Sequence, residues 1–88
     1  MKIKIDPRIY GLPPRTALFQ QGSNEFTIEI NRKSRVVMKD AAALLEKAIK
    51  IKHIEPGAAI TLETSAPICS KSVKFLDESG IRVLKSEG

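Results

Sequence analysis

Hydrophobic and polar side chains alternate one for one along Lys2-Ile3-Lys4-Ile5, the period of a half-buried strand. Asp6-Pro7 ends it, because proline brings no N–H to a ladder. The same alternation returns at Glu25-Phe26-Thr27-Ile28-Glu29-Ile30, with Phe26, Ile28 and Ile30 on one face. Asn31-Arg32-Lys33-Ser34 reads as a polar turn, and Arg35-Val36-Val37-Met38 resumes in β-formers, so residues 25–38 are expected to form a hairpin. From Lys39-Asp40 the period lengthens. Asp40 is the expected N-cap of the main helix, and Ala41 to Ala48 are strong helix formers. Positions 41, 44, 45, 48 and 52 fall on one stripe, apolar until Lys52, while Ala43, Glu46, Lys47, Lys50 and His53 fall opposite. Glu55-Pro56-Gly57 stops the helix. Residues 58–64 form a strand with Ile60 and Leu62 on one face. Ser65 then caps a second helix, with Pro67 in its first turn and Ile68 or Cys69, Ser72, Val73 and Leu76 as its buried stripe. Gly80 ends it, and residues 81–84 are expected to make a short strand or an ordered tail.

Between the first two strands lie Pro7, Gly11, Pro13, Pro14 and Gly22, the marks of a long irregular stretch. Inside it, residues 16–21 are expected to form a turn or two of helix, capped by Thr16 and stopped by Gly22. The order predicts an α/β (α+β) fold: a two-layer, open-faced sandwich of about four strands with two main helices on one face. Its 88 residues suffice for a single domain, expected to be ordered over 1–84 with a frayed tail at 85–88.

Charge changes the picture only by its location. The chain carries 15 Lys+Arg against 10 Asp+Glu, a net +5. Residues 32–52 hold seven bases (Arg32, Lys33, Arg35, Lys39, Lys47, Lys50, Lys52) and two acids, Asp40 and Glu46, so the whole excess belongs to that segment. Such charge attracts acidic protein surfaces or nucleic acid. Phe26 reads as core, however, and no aromatic platform for stacking bases is visible. The single Cys69 makes no internal disulfide, and with one histidine, His53, no cofactor or metal set is implied. No apolar run is long enough to span a bilayer and the N-terminus lacks a signal-peptide core, so no membrane partner and a cytoplasmic location are expected.

Gly11-Leu12-Pro13-Pro14-Arg15-Thr16-Ala17 resembles the Gly-Leu-His-x-Arg-Pro-Ala motif of HPr, the histidine phosphocarrier of the bacterial sugar phosphotransferase system. Arg15 matches the motif arginine; Pro13 stands in the place of the phosphoacceptor histidine and Thr16 in that of the proline. The resemblance implies an HPr-like domain that cannot carry a phosphoryl group, since proline offers no nucleophile. The run Val37-Met38-Lys39-Asp40-Ala41-Ala42-Ala43-Leu44, followed by helix, strand, helix and Gly80-Ile81, is similar to the later half of STAS domains. There the Asp-Ser-Ser-Gly segment with its phosphorylated serine would fall on Asp40-Ala41-Ala42-Ala43, again without the hydroxyl.

The expected function is therefore a small non-enzymatic HPr-like domain, incompetent for phosphotransfer, that acts by binding a protein partner, with a STAS-like regulator or a basic nucleic-acid-binding module as alternatives. No paired carboxylates, glycine-rich phosphate loop or metal cluster points to an enzyme. The candidate partner- or anion-binding residues are Arg15, Thr16, Arg32, Lys33, Arg35, Lys39, Lys47 and Lys50. Arg15 and Thr16 enter because a helix starting there would offer free N–H groups to an anion. The others enter as the turn and helix-face cluster, whose ordinary role is a solvated face. His53 reads as a surface residue and Cys69 as a small core residue.

Overall fold

A computed structural model describes residues 2–85. In chain order these form β1 (Lys2–Ile5), a 3-10 turn (Pro7–Tyr10), β2 (Ala17–Gln21), β3 (Glu25–Ile30), α1 (Met38–Ile54), β4 (Ala59–Thr64), α2 (Ser70–Glu78) and β5 (Ile81–Lys85). The five strands make one sheet in the order of the chain, β1-β2-β3-β4-β5. The first two pairings are antiparallel; β3 with β4 and β4 with β5 are parallel. Helical crossovers join the parallel strands, as a parallel pair requires.

The register sorts side chains into two faces. Ile5, Leu18, Ile28, Leu62 and Val83 are successive cross-strand neighbours, and so are Phe26, Ile60 and Ile81. Most of these are fully buried, and they share one core with Ala41, Leu44, Ala48 and Ile51 of α1 and Leu76 of α2. The α1 residues recur at three- and four-residue intervals, so one stripe is buried. It is rotated slightly from expectation: Ile51 takes the place given to Lys52, and Leu45 is only half-buried. In α2, Phe75 packs on the core while Val73, expected inside, is exposed.

Further expectations are corrected. Residues 16–21 form no helix. Ala17–Gln21 is a strand paired on both sides, and Gly22, at φ 84°, turns the chain into β3. Five cross-strand-bonded residues outweigh the modest helix preference of Ala, Leu and Gln. Residues 25–38 form no hairpin either. Val36 makes a single parallel bridge with Ile68, giving its N–H to the Pro67 carbonyl at 2.8 Å and receiving that of Cys69 at 3.2 Å. Helix α1 then starts at Met38, two residues before Asp40, which stands in its first turn. Finally, α2 starts at Ser70 with Cys69 at the capping position, so Ser65 and Pro67 lie in a strap ahead of it. Of the tail expected at 85–88, Lys85 belongs to β5 and pairs with Thr64, and 86–88 lie outside the described residues.

Thr64 ties this end of the sheet together. It is fully buried; its hydroxyl donates to the Ile30 carbonyl at 2.7 Å and accepts from the Ala66 N–H at 3.0 Å.

Candidate functional site

Antiparallel pairing sets the start of β2 beside the end of β3: Ala17 faces Glu29, so Thr16 comes level with Ile30. Parallel pairing sets Ile30 beside Thr64, and Thr64 beside Lys85. The loop 31–37, the first turn of α1 and the strap 65–69 therefore leave the sheet at one end. Five of the eight candidate residues belong to segments at this end: Arg15, Thr16, Arg32, Lys33 and Arg35. Lys39 joins them in the first turn of α1, and Lys47 reaches it from a later turn.

The loop is shaped by Arg32 and Asp40. The Arg32 guanidinium meets the Asp40 carboxylate at 2.6 Å and donates to the carbonyls of Ser34 and Arg35 at 3.2 and 3.1 Å. The other task of Asp40 is to accept the Val37 N–H at 3.0 Å, which satisfies one of the free donors at the helix start. That N–H, and then Arg32, hold the Asp40 carboxyl below the usual carboxylate range. A depressed folded-state pKa stabilises the fold above the unfolded carboxylate value, near pH ~4, and that stability is lost as pH falls through the lower folded value. Asp40→Asn is expected to cost about 1 kcal/mol at neutral pH. In chemical denaturation at a series of pH values, it should also flatten the acid limb of the stability profile.

Arg15, Lys33, Arg35, Lys39 and Lys47 make no ion pair with another described residue. Two of them border a cleft of about 590 Å³ between α1 and the joined ends of β2 and β3. Arg15 and Lys47 stand on its rim with the Arg32–Asp40 pair, and Ile28, Ile30 and Leu44 supply apolar wall. Thr16 also lines it. Its Oγ1 is buried and has no hydrogen-bond partner among the described residues.

Two expectations change. Arg15 and Thr16 lie in the turn that leads into β2, so no helix N-terminus stands there to hold an anion; the residues keep their charge and hydroxyl but lose that geometry. Lys50 leaves the cluster: its Nζ lies 3.5 Å from the Gly11 carbonyl, beside Tyr10 and His53. Conversely, Lys71 in the first turn of α2 and Lys85 at the end of β5 lie at the basic end. Nothing local in the sequence marks either, because only the parallel register brings them there.

Cys69 is half-buried, not core. Its Sγ lies 2.8 Å from the Ser72 hydroxyl, and hydrogen bonding from Ser72 draws the thiol pKa below its ordinary value. His53 sits exposed in the last turn of α1, away from Cys69 and the basic loop. Among the described residues no group of acidic, histidine and cysteine side chains could hold a metal ion, and no helix is long and apolar enough to cross a membrane. No family model, no curated protein and no solved structure matches the chain.

Proposed function

We propose that this chain is a non-catalytic, STAS-like regulatory domain that docks an acidic protein surface on its basic end. The observation that carries the proposal is the convergence of Arg15, Lys33, Arg35, Lys39 and Lys47, none in an ion pair with a described residue, at the end of the sheet where β3 and β4 finish. A field of one sign at one end of a small domain steers and orients a partner of the other sign.

The STAS-like alternative is favoured over the HPr-like one by the course of the chain. The segments on which that similarity rests, from Val37 through Gly80-Ile81, run as helix, strand, helix and strand in unbroken alternation. The segment on which the HPr resemblance rests, from Gly11 to Ala17, is a loop leading into β2. Either way the covalent switch is missing, at Pro13 or at Ala41-Ala42-Ala43. Both crossovers step the same way across the sheet, and right-handed crossovers that do so lay both helices on one face, leaving the other open. That open face supports protein over nucleic acid. Phe19, missed as a strand residue, lies on it between Lys4 and Thr27, but Glu25, Glu29 and Glu63 belong to the same face and offset Lys4 and Arg82.

Affinity purification of the tagged chain from its native cells tests the proposal. An acidic protein should co-purify, survive nuclease treatment and dissociate with rising salt. It should be lost from a variant carrying Arg15→Glu, Lys33→Glu, Arg35→Glu and Lys47→Glu. Recovery of nucleic acid in place of protein, or binding indifferent to those charges, would overturn it.

A further inference from the structure

We infer that the cleft between α1 and the joined ends of β2 and β3 is a binding site for a small organic anion, a molecule with an apolar body and one carboxylate or phosphate head. It goes beyond protein docking: it concerns the interior of the cleft, and of the docking residues it uses Arg15 and Lys47 but not Lys33, Arg35 or Lys39. Three observations meet there. The first is space: about 590 Å³ remains open under α1, where the helix presents Ala43 and not a bulkier side chain. Ligand sites for small molecules have volumes of this order, about 300–1,000 Å³, with apolar walls and a few placed polar groups.

The second is charge. Arg15, Arg32 and Lys47 border the cleft against Glu29 and Asp40. Arg32 is spent on Asp40 at 2.6 Å, so it adds no net attraction. Glu29 accepts a hydrogen bond from the Asn31 amide at 3.3 Å. Arg15 and Lys47 have no ion-pair partner among the described residues, and they stand on the chain segments that flank the opening. The balance is cationic, and a fork-shaped guanidinium suits a carboxylate or phosphate.

The third observation is independent of both. Thr16 is 7% exposed, and its hydroxyl has no partner among the described residues. Thr16 stands just ahead of β2 and lines the cleft together with Ile28, Ile30 and Leu44. A buried hydroxyl left unpaired destabilises the fold, a cost that a bound acceptor removes. The apolar walls, Ile28, Ile30 and Leu44, would hold the body of the ligand while Arg15 and Lys47 hold its head and Thr16 donates to it.

Phenyl phosphate and benzoate are the probes, with benzyl alcohol as the neutral control, titrated into the full chain and followed by amide-resolved NMR. Saturable shifts are expected for one or both anions, confined to residues around Arg15–Ala17, Ile30–Arg32 and Ala43–Lys47, with none from benzyl alcohol. Which anion binds tighter separates a carboxylate site from a phosphate site. The Arg15→Ala/Lys47→Ala double variant should weaken binding about tenfold or more, the loss of at least one charge-assisted contact. Thr16→Val supplies the readout that a merely structural residue would not give. It removes an unpaired hydroxyl at nearly constant shape, so the free protein should melt at the same or a higher temperature while anion affinity falls. No saturable shift with either anion, shifts that persist in the double variant, or equal shifts from benzyl alcohol would each overturn the assignment.

Discussion

Leu18→Ala is expected to destabilise the fold by about 2–5 kcal/mol, the cost of emptying a buried leucine site. Phe19→Ala, one residue on, should cost clearly less. Leu18 is fully buried in the row that runs from Ile5 through Ile28 and Leu62 to Val83. Phe19 is half-buried in the opposite row, between Lys4 and Thr27. The contrast belongs to a strand, in which adjacent side chains leave on opposite faces. For a domain of this size, total stability is on the order of 5–10 kcal/mol, so the larger loss brings the protein near its unfolding threshold. Urea denaturation of the two variants measures it; a Phe19→Ala loss equal to that of Leu18→Ala would contradict the placement of β2.

The second large effect is expected at Thr64→Val. Valine keeps the volume and the β-branched shape but removes the hydroxyl that receives the Ala66 N–H and supplies the Ile30 carbonyl. Two backbone groups are left without that partner, at about 1–3 kcal/mol for each that stays dry, so a total of about 2–4 kcal/mol is expected. The loss should not remain at one residue. The hydroxyl joins the end of β3 to the strap that carries Val36 and Ile68, so amide exchange should quicken at Val36, Ala66 and Cys69 before it does in β1. Thr61→Val, half-buried on the other face of the same strand, is the control and should fall within about 0.5 kcal/mol of the parent. Equal losses at Thr61 and Thr64 would show that the bridging hydroxyl carries no special weight.

The same two strands show how far the sequence could be read. β1, β3 and β4 announce themselves by strict alternation, and α1 by its run of helix formers. β2 does not. Ala-Leu-Phe-Gln-Gln contains no β-branched residue and has as much helical as extended character; its pairing partners on both sides decide it, and those are not local. Val36-Val37 misleads in the opposite sense. The β-branched pair suggests a strand, but Asp40 claims the Val37 N–H for a helix start and only one bridge remains at Val36. The basic segment was legible as a count of charges, and Arg32, Lys33 and Arg35 as neighbours. That Arg15 and Lys47 would line one cleft was not legible, because it depends on β2 running antiparallel to β3 beneath α1. Nor could sequence tell Arg32, spent on Asp40, from Arg35, which has no such partner.

The most direct test of the central claim is a map of where a partner touches the chain. A photoreactive phenylalanine analogue placed at Lys33 or Lys39 samples the basic end; the same residue at His53 or Glu78 samples the exposed C-terminal turns of α1 and α2. After irradiation in an extract of native cells, positions 33 and 39 should give one discrete protein adduct whose yield falls as salt is raised before irradiation, and positions 53 and 78 should not. Adducts from 53 and 78 with none from 33 and 39 would contradict the account.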